Sequence, residues 1–583
     1  MSGEKDHHVE LGRIKLDANS PISQRYLTFE SDLPTLPADS HGRELPPPPN
    51  LGRLGSPLEW SPLRKHMLLS ISCTATFLTA YSVGSYSPAA AVMAQDLGTS
   101  QSVVLVGVTT FCLGFALAPM ALAPISEIWG RFPVLAAAGV VFIASQVACS
   151  VMPNATGLLI ARFFAGAGAS VFGAVVGGVI TDLWDKEDRN TPLAIFSGSV
   201  LAGTGAGPLV ATVLLQGIHD SSLAWKWTFW HQVIMDAVLV AAIFLLCTEC
   251  RASVLLTQRA RLLNNWYKEL ETRGTYGLWL PDSAKRAAPD SLSSLDSLSS
   301  PDSLSSPDSL SSTSTLGSED SEVPRGRLLR IRWLVKEDEQ RPAVGKIIAL
   351  SVRRPFYMLF TEPIVFCFSL WASFAWAILY LSFSAVPILY KTDLARSGPI
   401  YGAIIAAALV ATITSILQQR LLQHPQWQAG LGHNDSKYWA FMRRRFPVES
   451  PEARLYFSCV TALLLPIGLF GAFFCSGGSA KAVGFGFATC GIYSVYLATF
   501  NYLADAYGAQ ASSALAAQSL CRNLLGGGFP LITGAMFTNL GLKGAGALLG
   551  SIAMVLTTIP WVLVCYGETI RGRSKLALVS LFR

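Results

Sequence analysis

Residues 157–184 read GLLIARFFAGAGASVFGAVVGGVITDLW, and this stretch decides the fold class. Its first 24 residues carry one charge, Arg162, and a helix of about 20 apolar residues crosses the apolar core of a bilayer. Small residues recur at every fourth position, which favours close helix packing in lipid. They are Ala165, Ala169, Gly173 and Gly177. The stretch therefore predicts a membrane-spanning helix that ends at Asp182 and Trp184.

The whole chain has the composition of a membrane protein. Only 14% of its 583 residues are charged, against about 25% in ordinary soluble domains, and its mean hydropathy is +0.41. These values exclude a collagen, a disordered chain and a soluble nucleic-acid-binding protein. Twelve apolar runs are long enough to cross a bilayer. They lie near residues 67–93, 102–125, 132–152, 157–180, 192–216, 224–247, 363–389, 399–417, 456–475, 482–504, 512–537 and 544–566. We predict an all-α membrane protein with twelve transmembrane helices.

A repeated pattern divides these helices into two halves of six. In the first half, Asp182 is followed 26 residues later by Pro208, which belongs to a Gly-Pro pair. In the second half, Asp505 is followed 25 residues later by Pro530. Each aspartate stands beside an aromatic residue at the end of a span. Two pseudo-symmetric halves with a central site between them are typical of transporters that work by alternating access.

The distribution of Lys and Arg predicts the orientation, because cytoplasmic loops carry an excess of these residues. One set of loops holds Arg64, Lys65, Arg131, Lys186, Arg189, Arg420, Arg443, Arg444, Arg445, Arg571 and Arg573. The opposite set holds little beyond Lys226, Lys391, Arg396, Lys481 and Lys543. Both termini and the long middle linker are therefore predicted to be cytoplasmic.

Five regions follow from these spans. Residues 1–65 are expected to form a disordered cytoplasmic tail, 66–249 the first half, 250–360 a cytoplasmic linker, 361–567 the second half and 568–583 a cytoplasmic tail. The linker begins with a basic segment, Arg259 to Lys268, that suits an interfacial helix. Residues 289–312 then repeat a Ser-rich unit of six residues four times, and such a segment buries too little apolar surface to fold. We expect it to be a disordered linker, with a phosphorylation platform as the alternative.

Three local signals bear on covalent chemistry. Asn154-Ala155-Thr156 matches a glycosylation sequon in a loop too short to lift the acceptor away from the membrane. Cys247 and Cys250 form a C-x-x-C pair without a second pair or a histidine nearby, so we predict no metal site. Most other cysteines lie within apolar runs and indicate packing rather than disulfides. The first 65 residues show no secretory signal peptide, so the first span is expected to direct insertion.

Several motifs, in this order, resemble the major facilitator superfamily, and specifically the fungal twelve-span drug:proton antiporters that include polyamine and multidrug exporters. The motifs are Tyr86-Ser87-Pro88-Ala89, the loop Ala123 to Pro133, Arg162 with Gly166 and Gly168, Gly203 with Gly207-Pro208, and Asn501 to Tyr507. The resemblance implies the major facilitator fold over about residues 60–575. It also implies that Gly203, Gly207 and Pro208 form an antiporter motif, that the motif of Arg162 takes part in proton transfer, and that Glu127 and Arg131 belong to a cytoplasmic charge latch.

Other charged residues are candidates because a charge at bilayer depth is costly. Arg522 and Asp236 lie about 15 Å and 18 Å along their helices, near the midplane. A carboxyl in an apolar setting holds a proton, and a cation brought close releases it, so Asp236 is a candidate proton carrier. We group Arg162, Asp236 and Arg522 as proton-coupling residues. Asp182 and Asp505 join the predicted latch, with ordinary helix-end charges as the alternative.

Two aromatic stripes are candidates for the substrate site. Trp376, Tyr380 and Phe383 recur at helical spacing in the seventh span, and Tyr496, Phe500 and Asn501 do so in the tenth. Such faces hold bulky amphipathic or cationic compounds, although similar stripes also serve helix packing. The acid that the family usually carries near this point of the seventh span is Ser384 here, which counts against a polycationic substrate.

These observations predict a proton-coupled antiporter that exports drug-like or secondary-metabolite molecules from a fungal cell, as a monomer in the plasma membrane. A proton-coupled nutrient importer of the same fold and a non-transporting sensor are the alternatives. No nucleophile with a base, metal-ligand cluster or P-loop occurs, so we expect neither an enzyme nor a cofactor, and the proton gradient is the expected energy source.

Overall fold

The computed structural model describes residues 16–36, 45–185, 188–281, 326–339, 341–389, 397–428, 437, 441, 444, 450–574 and 576–577. It contains two compact units. The membrane unit comprises Pro57–Val254 and Pro342–Arg583, and the small unit comprises Met1–Ser56 and Leu255–Arg341. The predicted Ser-rich repeat, 289–312, lies outside the described residues, as do Lys186, Lys391, Arg396, Arg443 and Arg445.

The first half of the membrane unit contains six spans that match the predicted apolar runs. Span 1 is Pro62–Gly84, continued after a 3-10 turn, Ser87–Ala89, by Ala90–Asp96. Spans 2 to 6 are Gln101–Trp129, Arg131–Val151, Ala155–Leu183, Asn190–Gly217 and Ser221–Leu246.

The second half is preceded by the helix Val344–Thr361. Spans 7 and 8 are Pro363–Leu389 and Gly398–Leu422. Span 9 is built from three pieces, Pro451–Leu455, Ser458–Thr461 and Leu464–Phe474, and span 10 is Gly478–Tyr507. The last helical segments are Ala511–Leu556 and Thr558–Gly572.

The last segment accounts for the count of spans. Eleven segments of the described chain are long and apolar enough to cross a membrane, and the last runs over 62 residues, Ala511–Gly572. A helix of that length would measure about 93 Å, roughly three times the bilayer core. Gly541, with φ +68°, interrupts it. Span 11 therefore ends and span 12 begins at Gly541, which gives the predicted twelve.

Polar side chains cap three of these helices at the same end of the bundle. The Ser100 side chain accepts a hydrogen bond from the Val103 backbone N–H at the start of span 2. Asn154 Oδ1 accepts one from the Gly157 N–H, 2.7 Å away, at the start of span 4, and Asp220 caps span 6. Such caps satisfy backbone donors that a helix leaves free at its first turn. The predicted glycosylation acceptor, Asn154, thus also serves as a helix cap.

Glycines set the closest helix crossings. A Cβ added to Gly166 of span 4 would overlap the backbone of Phe111 in span 2, and one added to Gly114 would overlap the carbonyl of Phe163. Between the halves, span 2 packs against span 11 and span 5 packs against span 8. Close approach of this kind takes the place of the hydrophobic drive that is absent within lipid.

The small unit corrects the prediction that residues 1–65 form a disordered tail, and it also contains linker strands on either side of the predicted Ser-rich repeat. The strands β1 (Ile22–Tyr26), β2 (Leu278–Pro281) and β3 (Gly326–Leu334) form a sheet in the order β1-β3-β2. β1 pairs with β3 in parallel, and β2 pairs with it antiparallel. The helix Ala252–Thr272 contains the predicted helical segment 259–268, and the apolar face of this helix packs on the sheet in one buried cluster. The tail and linker fold because each supplies a strand that the other lacks.

A charged cluster joins this helix to β3. Glu271 accepts hydrogen bonds from Arg330 Nε at 2.9 Å and Arg332 Nη2 at 2.7 Å. Burial by itself would raise the pKa of Glu271, but the hydrogen bonds and charges of the two arginines outweigh it and hold the pKa below its usual value. The cluster therefore stabilises the small unit while Glu271 is ionised.

Candidate functional site

A cavity of about 1160 Å³ lies between the two halves of the membrane unit. Spans 2 and 4 line it from the first half with Met120, Gly173 and Gly177. Spans 10 and 11 line it from the second half, with Phe500 and Arg522 among their residues. The end of the cavity away from Arg522 carries five arginines, namely Arg131, Arg189, Arg251, Arg454 and Arg571. We call this the basic end of the bundle. The cavity thus runs from the basic end into the interior.

Arg522 forms the floor of the cavity together with Tyr496, and it also contacts the buried ring of Trp376. Its guanidinium carbon lies 4.6 Å from the ring centre of Trp376 and 5.0 Å from that of Tyr496. The two rings lie 4.8 Å apart. Arg522 is 8% exposed, its Nη2 is 3.4 Å from Ser519 Oγ, and its Nε has no hydrogen-bond partner. The predicted residues Trp376, Tyr496 and Arg522 therefore meet at one place.

Arg162 lies deeper and has no exposed surface. Its guanidinium carbon is 4.5 Å from the ring centres of both Tyr86 and Phe111, and its Nε donates to the Gly107 carbonyl at 3.4 Å. Both of its Nη atoms lack hydrogen-bond partners. In the part of the chain that the structure describes, no carboxylate forms an ion pair with Arg162 or Arg522. Arg162 therefore has no acidic partner among the described residues.

Contacts between span 2 and span 11 keep Arg162 out of the cavity that Arg522 lines. Thr109 Oγ1 donates to the Gly527 carbonyl at 2.8 Å, and a Cβ at Gly527 would lie 2.6 Å from Cys112 Cβ. The residues of spans 2 and 11 that line the cavity all lie on the basic side of these contacts. The turn Ser87–Ala89 packs against span 7 beyond them. The cavity is thus open at the basic end and closed towards the other.

Asp236 lies one helical turn from a buried polar cluster inside the first half. Gln146 donates to Ser82 Oγ and to Gln232 Oε1, both at 2.8 Å, and Gln232 donates to Ser85 Oγ at 2.9 Å. Asp236 lies one helical turn after Gln232, is 2% exposed, and its Oδ2 has no hydrogen-bond partner. It does not line the central cavity. The structure therefore separates Asp236 from the aromatic floor.

The predicted latch residues fall into two clusters at the basic end. In the first, Asp182 accepts from Arg131 Nε at 3.1 Å and from Arg251 Nη1 at 2.9 Å. Arg131 Nη1 also donates to Ser126 Oγ at 2.8 Å. Glu127 is a peripheral member, because its side chain is 48% exposed and its Oε1 lies as far as 4.0 Å from Arg131 Nη2.

Asp505 centres the second cluster. It accepts from Arg454 Nε at 2.9 Å and lies 3.7 Å from Arg189 Nη2. Arg189 belongs to the first half, so this ion pair links the two halves. Asp182 and Asp505 each lie at or near the end of a span and pair with arginines, and the sequence repeat does not identify Arg251, Arg454 and Arg189 as their partners.

Three acids were not assigned roles from the sequence: Glu362 and Glu452, which are buried, and Glu249, which is half-buried. Glu249 accepts hydrogen bonds from the backbone N–H groups of Arg131, Phe132, Cys250 and Arg251. Glu452 forms an ion pair with Arg571, and Glu362 accepts from the Tyr507 hydroxyl at 3.0 Å. Each acid is the second residue of a short motif at a span boundary, and this position is the sequence signal that could have identified it. The motifs are Thr248-Glu249, Pro451-Glu452 and Thr361-Glu362.

The remaining candidates for the substrate site lie in three different places. Phe500 lines the central cavity. Tyr380 and Phe383 stack at 5.3 Å and are buried within the bundle. Asn501 lines a second, smaller cavity of about 230 Å³ between spans 8, 9 and 10. The six predicted substrate residues therefore do not share one surface.

The glycine motif of span 5 packs on the backbone of span 1. A Cβ at Gly203 would overlap the carbonyl oxygen of Phe77, and one at Gly207 would overlap that of Tyr81. A Cβ at Gly84 of span 1 would lie 2.7 Å from Pro208 Cδ.

The described residues contain no group of three or more His, Cys, Asp or Glu that could hold a metal ion, and all eleven cysteines are free.

Comparison with known proteins identifies the family. The sequence model of the Major Facilitator Superfamily matches residues 72–530. The chain belongs to this superfamily. It is therefore a multi-pass membrane transporter of small molecules, and the family and its relatives are transporters rather than enzymes.

Fungal transporters and solved bacterial structures resemble this major facilitator protein. The "Citrinin biosynthesis cluster MFS transporter mrr1" of Monascus ruber is 28% identical over 528 residues, 89% of each chain. The "MFS-type efflux pump MFS2" of Trichophyton rubrum is 26% identical over 532 residues, 90% of this chain and 76% of its own. The proton:xylose symporter XylE superposes with a TM-score of 0.55 at 12% identity, over 87% of this chain and 97% of its own, which establishes the fold alone.

Proposed function

We propose that this protein exports amphipathic small molecules by alternating access and that a proton gradient drives the export. The observation that carries the proposal is the cavity between the halves, which is open at the basic end and closed beyond Thr109 and Gly527. A cavity of this size, with aromatic and charged groups at its floor, suits bulky substrates. Exposure of one central site to each side in turn is the transport mode that two packed halves allow.

The direction rests on charge. Six arginines that lie at the basic end, Arg64, Arg131, Arg189, Arg251, Arg454 and Arg571, favour a cytoplasmic location for that end. Both termini are then cytoplasmic, and the open cavity receives substrate from the cytoplasm. The close packing of Gly203 and Gly207 on span 1 supports antiport through the resemblance of this motif to that of antiporters. We assign the protein to the plasma membrane as a monomer.

Proton coupling requires a group that binds and releases a proton. A guanidinium does not release its proton in proteins, so Arg162 and Arg522 act only through their charge. Asp236 is buried with an unpartnered carboxylate oxygen, and a buried carboxyl of this kind holds a proton until its surroundings change. Asp236 is the proposed proton carrier. No cofactor is needed beyond the proton gradient.

The proposal is tested by the export of fluorescent dyes, azoles and fungal metabolites from cells that express the full chain, with and without a protonophore. We expect efflux that stops when the proton gradient collapses. Accumulation that depends on the gradient would identify an importer instead, and no flux of any compound would favour a sensor. The control is a strain that expresses Gly402→Ala, because this position has no atom within 4 Å of a new Cβ.

A further inference from the structure

The two buried guanidinium groups between the halves lack carboxylate partners. Arg522 lies on the floor of the cavity, with its Nε unpartnered, and Arg162 is fully buried, with both Nη atoms unpartnered. The centre of the molecule therefore carries two positive charges and three donor atoms without acceptors.

Such an arrangement requires an anion. An arginine cannot discard its charge, and buried donors in proteins are almost always satisfied. Trp376, Tyr496, Tyr86 and Phe111 offer ring faces to the cations, which offset part of the cost of burial but accept no full hydrogen bonds. For Arg522, which lines the cavity, the missing acceptor is therefore a group that enters from outside the described chain.

The rest of the cavity supports the same sign of charge. Among its described lining residues six are arginines and three are acids. The acids, Glu127, Asp188 and Asp505, all lie at the basic end, so none stands beside Arg522. Arg522 lies about 17 Å along its helix from that end. An anion that moves inwards meets cations along the path and no carboxylate at the floor.

We infer that the transported compound is an amphipathic organic anion, a carboxylate or phenolate carried on an aromatic ring system. Arg522 holds its charge through the fork geometry that suits a carboxylate. The rings of Tyr496 and Phe500, which line the cavity, contact its ring system, and Arg162 adds attraction from deeper in the bundle. This inference rests on the proposed function as an exporter and replaces the cationic or neutral compounds that the aromatic stripes by themselves would suit.

The test uses three naphthalene compounds of matched shape on the purified full-length protein. These are 1-naphthoate, 1-naphthalenemethanol and 1-naphthylmethylammonium, and binding is measured by calorimetry together with the thermal shift. We expect naphthoate to bind at least about 10-fold more tightly than the other two, since hydrogen bonds to a charged group are worth at least that factor. Arg522→Gln should remove this preference and leave the affinity for the alcohol unchanged.

Two further variants separate charge recognition from packing. Arg522→Lys keeps the charge without the fork and should bind naphthoate with an affinity between those of the native protein and Arg522→Gln. Arg420→Gln makes the same change of charge at an exposed position of span 8 and should leave all three affinities unaltered. Equal loss of affinity for all three compounds in a folded Arg522→Gln protein would mean that Arg522 only supports packing, and it would overturn the inference.

Binding of the ammonium compound as tightly as the carboxylate, or more tightly, would also overturn it. That result would leave the export proposal intact if cells still showed gradient-dependent efflux. Failure to bind any of the three compounds would overturn the inference as well, and the proposed function would fall with it only if the cells also exported nothing.

Discussion

Replacing Gly207 by alanine tests whether the glycine motif of span 5 serves close packing. The new Cβ would overlap the carbonyl oxygen of Tyr81 and lie 2.9 Å from the backbone nitrogen of Ser85. Both neighbours are backbone atoms, which cannot rotate away as a flexible side chain would. Spans 1 and 5 must therefore move apart.

The size of this effect follows from the overlap. Ordinary contact with a Cβ begins at about 3.4 Å, so the helices must separate by roughly 1 Å at this crossing. Overpacking of a tight interface costs about 1–3 kcal/mol. By contrast, alanine at an open helical glycine is neutral or stabilises by up to about 1 kcal/mol. Because span 5 also packs on span 8, the displacement reaches the interface between the two halves.

The assay compares the thermal unfolding and dye efflux of three full-length proteins. Gly207→Ala should unfold at a lower temperature than the native protein and transport more slowly. Gly402→Ala, in span 8, should do neither, because a Cβ there has no neighbour within 4 Å. If Gly207→Ala matched the native protein in both stability and efflux, the packing argument for the motif would be refuted.

Three other predictions address proton coupling, the link between the halves and the small unit. Asp236→Asn should remain in the membrane but lose protonophore-sensitive efflux, and unchanged coupled flux would remove Asp236 from the mechanism. Arg189→Ala breaks the ion pair with Asp505 that links the halves in this state, so spin-label distances between the halves should show this state depleted by up to about fivefold, and an unaltered distribution would argue against the link. Glu271→Gln should speed amide exchange in β3 by about fivefold at pH 7. The folded pKa of Glu271 lies below its unfolded pKa of about 4.3. The stability that Glu271 contributes is therefore present above the unfolded pKa and is lost as the pH falls through the folded pKa. In strong acid the native protein and Glu271→Gln should exchange alike, and a difference that persists there would contradict this account.

The spans could be predicted from the sequence because the bilayer fixes one length and one polarity. Residues 157–180, for example, fall within the observed helix Ala155–Leu183. The boundary between spans 11 and 12 was also visible, since apolar runs end near 537 and begin again near 544 on either side of Gly541. Local composition is enough for such assignments.

The small unit shows where local composition is not enough. β1 is a five-residue strand, Ile22–Tyr26, that pairs with residues 330–334, about 300 positions away. The polar sequence ISQRY contains no pattern that predicts pairing with β3. Its stability comes from the pairing and from the buried cluster beneath it, both of which exist only after folding.

The candidate site was predicted in its members more than in its grouping. Arg522, Trp376 and Tyr496 come from three different spans of the second half, and helical spacing within each span could not show that they meet. Of the partners of Asp182 and Asp505, Arg251 and Arg189 lie between helices and Arg454 lies in the short helix that begins span 9, and the sequence does not show where these segments bring the three side chains. The lack of an acidic partner for Arg162 is likewise a property of the folded bundle, because the sequence does not show which side chains its guanidinium faces.

The most direct test of proton-coupled export uses the purified protein in liposomes with a pH-sensitive dye enclosed. Substrate identified in the efflux screen is added to the outside, and the internal pH is followed. Antiport predicts that protons leave as substrate enters, and that Asp236→Asn abolishes this movement. Protons that enter together with the substrate, or substrate flux that ignores an imposed pH gradient, would contradict the account.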